Sequence, residues 1–317
     1  MDALYLEDGA VTFLSDYPVP IPKSDQALIR VTCAGICSTD LELVRGYAGF
    51  NGVPGHEFVG VVEQSRDENW IGRRVVGAIN IGCGRCSLCR SAGPEHCSNR
   101  TVLGIIAHDG AFAEYLVLPL ENLHLVPDGL SNEEAVFTEP LAAALRIRQQ
   151  IVLAPSTPAA VIGPGKLGML IGQVLSLSGT EVIMLGRSSQ SLTVAETLGL
   201  KTNLVDSIVD NQFDIVVEAT GNEAGLRQAL RMVRPQGILV LKSTFSGQTT
   251  TDLTKVVVGE IRIIGSRCGP FEPALRLLSK GSIEIEALID GDYPLSDGLS
   301  AFKHASSPGV RKVLLYP

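Results

Sequence analysis

Two kinds of hydrophobic periodicity divide this chain. Through residues 1–150, apolar and polar positions alternate in short runs, as half-buried strands require. Ala3–Glu7 and Val11–Leu14 flank Asp8-Gly9, a dipeptide that favours a tight hairpin. After a proline-rich connection at Tyr17–Pro22, the alternation returns at Ala27–Ala34, Glu57–Gln64, Arg73–Gly77 and Ala111–Leu118. Short strands punctuated by Gly and Pro predict a compact β-barrel-like domain. From Ser131 to Gln150 the spacing turns helical, with Ser131 or Asn132 able to cap and Glu133 and Glu134 in the first turn.

Beyond Pro158 the pattern becomes alternating strand and helix. The apolar strand Ala159–Ile162 precedes a helical face of Leu167, Leu170, Ile171, Val174 and Leu175 that ends near Gly179. Strands at Glu181–Leu185, Phe213–Ala219, Gly237–Leu241 and Ile261–Gly265 follow, with a helix at Asn222–Val233. This α/β order predicts a doubly wound parallel sheet. Glu284–Pro317 is less regular and closes on the apolar strand Lys312–Tyr316. There is no internal repeat.

Composition agrees with two well-buried domains. The chain has 317 residues, 45% hydrophobic and 19% charged. A net charge of -8 without long like-charge runs speaks against nucleic acid or an anionic membrane as partner. Uncharged stretches are too short, or too rich in proline, for a membrane span, and Met1-Asp2-Ala3-Leu4-Tyr5 lacks a basic leader, so a cytoplasmic address is expected. Seven cysteines and no leader favour metal over disulfides.

Four of those cysteines form the most specific motif. Cys83, Cys86, Cys89 and Cys97, spaced x2, x2 and x7, can close tetrahedrally on one Zn²⁺ and leave no open position, as in a structural site. A second set lies upstream in Cys37-Ser-Thr39-Asp40 and Gly55-His56-Glu57. Thiolate, imidazole and carboxylate together suit Zn²⁺ better than Mg²⁺ or Ca²⁺. Thr39 puts a hydroxyl two residues from Cys37, in position to pass a proton. Taken singly, Cys37 and His56 would read as a buried thiol and a hydrogen-bonded ring.

Gly163-Pro-Gly165-Lys166-Leu167-Gly168 falls between the first apolar strand and its helix, where such glycines let a pyrophosphate approach the helix N-terminus. At the end of the next strand, where an NAD site carries Asp or Glu, this chain has Gly186-Arg187-Ser188. A guanidinium in place of a carboxylate suits a 2′-phosphate, so NADP is expected, with NAD as the alternative. Glu218-Ala-Thr220-Gly221 ends another strand, where parallel sheets bind ligands.

Taken together, these motifs and Thr138-Glu139-Pro140 resemble the zinc-dependent alcohol dehydrogenases of the medium-chain dehydrogenase/reductase superfamily, in order and over nearly the whole chain. The Glu-Pro pair looks like the polyol, sugar and threonine dehydrogenase branches. The resemblance implies a GroES-like β-barrel catalytic domain at residues 1–145, carrying the zinc lobe at 83–97. It further implies a Rossmann domain at 146–280 and a segment at 281–317 that returns to the catalytic domain. Two zinc ions per chain are implied. Cys37 and His56 match catalytic ligands, with Glu57 and Glu139 as alternative or joint third ligands. Asp40 matches the acid that orients the ligating His, and Thr39 matches the proton-relay hydroxyl. Glu42 stands where some relatives end the relay with His, so Glu42 or solvent would take the proton. Arg267 and Cys268 lie in a stretch that in relatives approaches the nicotinamide. The implied reaction is hydride transfer between a secondary alcohol or polyol, or its carbonyl, and the nicotinamide. Dimers or tetramers are expected. Competing readings are a zinc-free quinone or enone reductase and a non-catalytic NADP-binding protein.

Overall fold

The computed structural model describes residues 1–244 and 249–317. It divides into two compact units, Met1–Glu139 with Phe271–Pro317, and Pro140–Pro270.

The first unit opens with β1 (Ala3–Glu7) and β2 (Ala10–Leu14), an antiparallel hairpin turned at Asp8 and Gly9, both at positive φ. Its main sheet is built around β3 (Gln26–Ile36) and β4 (Glu57–Ser65), with β5 (Arg74–Gly77) beyond. β6 (Asn80–Ile81) and β7 (Thr101–Val102) form a small ribbon beside the cysteine lobe. β8 (Tyr115–Pro119) pairs with the first half of β3, and β9 (Leu123–Leu125) pairs with β5. The expected strand at Ala111–Leu118 forms only in its second half. Gly110–Ala113 instead bonds to Val53–Gly55 and Leu4, which carries it out of the ladder.

In the second unit, β10 (Pro158–Ile162), β11 (Glu181–Gly186), β12 (Lys201–Leu204), β13 (Phe213–Glu218), β14 (Val233–Leu241) and β15 (Arg262–Gly265) pair in the order β12-β11-β10-β13-β14-β15. All of these pairs are parallel. The order reverses between β10 and β13, which opens a crevice at their C-terminal ends. Ala160, Ile162, Leu185, Val216 and Leu239 form part of a dry core under Ala229, Leu230 and Met232 of the helix Glu223–Met232.

β16 (Ile289–Pro294) and β17 (Lys312–Tyr316) then complete the first unit's sheet, with β17 antiparallel to the second half of β3. Strand β3 is thus shared along one edge, by β8 near its start and by β17 near its end. Among the described residues, no helix is long and apolar enough to cross a membrane.

Candidate active site

Strand register brings together residues far apart in the sequence. Gly35 on β3 lies opposite Glu57 on β4 on one side and opposite Leu314 on β17 on the other. Directly opposed residues share a face, and so do residues two apart on a strand. Glu57, Gly35 and Lys312 therefore point the same way. The Lys312 ammonium ion-pairs with Glu57 Oε2, and both side chains are fully buried. Glycine at position 35 makes this contact feasible: a Cβ there would lie 2.8 Å from Glu57 Oε2 and 3.2 Å from Lys312 Nζ. Burial pulls the Lys312 pKa down to about 8, against the opposing charges of Cys37, Asp40 and Cys33. Its Nζ lies 5.2 Å from the Phe137 ring centroid.

Cys37 directly follows β3 and caps the helix Ser38–Val44. Three residues on, Asp40 returns its carboxylate to the cap, with Oδ2 accepting the Cys37 N–H at 2.7 Å. The other oxygen, Oδ1, faces His56 Nδ1 at 3.2 Å. One buried carboxylate thus fixes both the thiol-bearing backbone and the imidazole, and leaves His56 Nε2 for a metal. Burial opposes charge on His56. The negative charges of Asp40 and Cys37 outweigh that, and the pKa of His56 lies well above its ordinary value in the metal-free protein.

Donor atoms of Cys37, His56 and Glu57 lie within 4.8 Å of one another, as do those of Cys83, Cys86, Cys89 and Cys97. Among the described residues these are the two groups of three or more such donors. Both fit Zn²⁺ in chemistry: mixed S, N and O for one, four sulfurs for the other. Glu139, second residue of the helix Thr138–Gln150, is in neither group. The Thr39 hydroxyl is 3.9 Å from Cys37 Sγ, and Glu42 Oε1 accepts from Arg45 Nη1 at 2.6 Å.

The glycine-rich turn joins β10 to the helix Lys166–Ser176, as strand and helix signals required. Gly163 has φ +104°, and a Cβ on it would sit 2.5 Å from the Ala219 carbonyl. A Cβ on Gly168 would strike the Gly163 carbonyl, whereas one on Gly165, the helix cap, would meet nothing within 4 Å. Gly165 therefore leaves the helix N-terminus open to an anion. Lys166 is buried and Leu167 half-buried in that helix's first turn. Gly186 ends β11, and Arg187 is exposed beyond it. The Ser188 hydroxyl accepts the Ser191 N–H at 3.3 Å and caps the next helix. Thr220 donates its hydroxyl to Glu218 at 2.6 Å. Arg267 is exposed past β15, and its carbonyl accepts from Lys242 Nζ at 3.1 Å. Sequence reasoning missed two parts of this arrangement, the Lys312 partner of Glu57 and the hub at Glu218.

Comparison with known proteins places the chain in a family. Residues 23–128 match the model of the alcohol dehydrogenase GroES-like domain, and residues 167–280 that of the zinc-binding dehydrogenase. D-arabitol-phosphate dehydrogenase of Enterococcus avium is 31% identical, covering 95% of this chain and 92% of its own. A solved protein of Sinorhizobium meliloti 1021 bound to NADP superposes with a TM-score of 0.90 at 28% identity, covering 100% and 99% of the two chains. One of Escherichia coli CFT073 complexed with NADH has a TM-score of 0.91 at 25% identity, with the same coverage.

Proposed function

The chain belongs to the zinc-dependent alcohol dehydrogenases of the medium-chain dehydrogenase/reductase superfamily, an NAD(P)-dependent enzyme family, and from that premise we propose that it oxidises a secondary hydroxyl of a polyol or sugar-derived polyol. The observation that carries this reading is the convergence of Cys37, His56 and Glu57, held from behind by Asp40 and Lys312. A non-catalytic relative has no need of a buried, three-donor site with both of its supports intact. A zinc-free reductase has no use for the Cys37–His56 pair.

Cys37, His56 and one carboxylate would hold a zinc ion, which would supply Lewis acidity toward the substrate oxygen, and a bound nicotinamide would supply the hydride acceptor. Every other part belongs to the chain. Asp40 Oδ1, 3.2 Å from His56 Nδ1, favours the proton on that nitrogen, which would leave Nε2 to bind the metal. Lys312 balances the charge of Glu57 and fixes its carboxylate through Oε2. Its proximity to Cys37 and His56 favours Glu57 over Glu139 as third ligand. Thr39 receives the hydroxyl proton at Oγ1, and Glu42 or solvent takes it on. Four thiolates of the lobe would hold a second, structural zinc and stiffen the segment 83–97.

In the second unit, the turn Gly163–Gly168 would receive the pyrophosphate, and Gly186, Arg187 and Ser188 the adenosine ribose. Arg187 favours NADP over NAD, because a guanidinium attracts a 2′-phosphate and no carboxylate repels it there. The Thr220 backbone and Arg267 flank the nicotinamide side. A homo-oligomer is part of the reading, in keeping with the family resemblance.

Metal analysis and a polyol panel test it. Two zinc ions per chain are expected, with reduced nicotinamide formed from polyols faster with NADP⁺ than with NAD⁺. A single zinc that survives Cys37→Ala, with no turnover of any alcohol, would sink the proposal.

A further inference from the structure

A carboxylate is seldom buried without donors, and Glu218 is only 2% exposed at the C-terminal end of β13. Its Oε1 accepts the Thr220 N–H at 2.6 Å, the Thr220 hydroxyl at 2.6 Å and the Ser243 hydroxyl at 3.1 Å. Each hydroxyl also serves as an acceptor. Thr220 Oγ1 takes the Asn222 N–H at 3.3 Å, and Ser243 Oγ takes the Gly221 N–H at 2.8 Å. Hydrogen-bond directions therefore converge on one oxygen from two chain segments, 219–222 after β13 and 242–244 after β14. Charge-assisted bonds of this kind are stronger than neutral ones and reinforce one another.

The latched turn borders the crevice where strand order reverses. Ala219 N–H bonds the Ile162 carbonyl at 2.9 Å, and Gly163 packs on Ala219 so closely that no Cβ fits. Thr220 is likewise turned inward: a Cβ at Gly225 would lie 1.9 Å from its hydroxyl and 2.7 Å from its Cβ. Thr220 thus has both its hydroxyl and its N–H committed to Glu218, and what it can offer a ligand is its carbonyl, which also accepts from Asn222 Nδ2 at 3.2 Å. The adenosine half of a dinucleotide lies toward β11, where Arg187 stands, and the other half falls on the β13 and β14 side.

We infer that Glu218 is a positioning residue for the nicotinamide half of the cofactor, acting through the 219–222 turn and Ser243. The inference rests on the dehydrogenase reading above. It makes cofactor affinity separable into two halves, one governed by Arg187 and the other by Glu218.

The test is fluorescence titration of the zinc-loaded, full-length protein with NADPH and, separately, with adenosine 2′,5′-bisphosphate, which carries only the adenosine half (NADH and ADP if NADH proves the tighter cofactor). Glu218→Ala should weaken NADPH at least about tenfold, the scale of a lost charge-assisted network. Adenosine 2′,5′-bisphosphate should stay within about twofold, since its contacts lie elsewhere. Gly225→Ala leaves every charge in place and favours the helix, yet should show the same split by displacing Thr220. Glu218→Gln keeps an acceptor oxygen and should recover much of the affinity. NADPH binding unchanged in both Glu218→Ala and Gly225→Ala overturns the inference, and so does equal weakening of both ligands, which marks a general loss of structure. Failure of the unaltered protein to bind either reduced dinucleotide would instead overturn the dehydrogenase reading, and this inference with it.

Discussion

Lys312→Met removes one charge from a place water does not reach. Methionine keeps an unbranched stem to pack beneath Phe137, so volume changes little and the loss is mainly electrostatic. Lys312 and Glu57 side chains are both 0% exposed, so neither ion recovers hydration when the other is removed. Removing one partner of a buried pair typically costs about 3–5 kcal/mol. Against a usual total of about 5–15 kcal/mol, that brings the first unit close to unfolding. Its unfolding is easy to follow, because the one tryptophan of the chain, Trp70, belongs to that unit. Urea titrations followed by Trp70 fluorescence, with zinc and after chelation, should give the full loss in the chelated protein. With zinc bound, the loss should shrink, because the metal's charge compensates Glu57 as a ligand. Adding Glu57→Gln to Lys312→Met should restore most of the stability, since an uncharged pair carries no such desolvation cost. A loss under about 1 kcal/mol in the chelated single variant would refute the argument, as would a double variant no more stable than the single.

Other substitutions probe separate parts. Thr39→Val should lower kcat by about 10²–10⁴ at unchanged zinc content, if its hydroxyl carries the proton; full activity would remove it from the path. Asp40→Asn should weaken zinc at the Cys37 site by about 10–100-fold in competition with a chelator, while lobe zinc is retained. Cys86→Ser should cost the lobe zinc and lower the thermal midpoint, while the Cys37 site keeps its ion. Tyr316→Phe tests a pH dependence. The Tyr316 hydroxyl, bonded to Glu133 at 2.7 Å, is the first cause of a Glu133 pKa below the usual carboxylate value. A depressed carboxylate stabilises the fold above its unfolded pKa and loses that contribution as pH falls through its folded pKa. Wild type should therefore exceed Tyr316→Phe by up to about 1 kcal/mol at pH 7, given the partial exposure, and the two curves should converge in acid.

Much of this was legible because it is local. Asp8-Gly9 turns within four residues, the lobe cysteines lie within one short segment, and Gly163–Gly168 falls between a strand and a helix that periodicity alone reveals. Cys37, Thr39 and His56 were legible as candidates from their residue types together, whereas a role for Asp40 entered only through the family resemblance. What stayed hidden depends on register. Lys312 reads as the polar first residue of an apolar strand, and only the pairing of β17 with β3 carries it to Glu57. Alternation gave no hint either, because both faces of β17 are buried, from Lys312 through Leu315. Glu218 was visible at a strand end, but its donors come from the 219–222 turn and from Ser243, so its burial could not be inferred. The Ala111–Leu118 pattern misled because apolar alternation does not distinguish a ladder partner from a buried loop.

The Glu57–Lys312 contact spans 255 residues of sequence, with the entire parallel-sheet unit between. On the ribosome, Glu57 emerges long before its counterion is translated, and no neighbouring stretch can substitute for it. Nascent chains must therefore hold that acid solvated, or shielded by a chaperone, until the closing strand arrives. Any message cut short before codon 312 would yield a polypeptide that proteases can distinguish from the finished one by its open sheet edge.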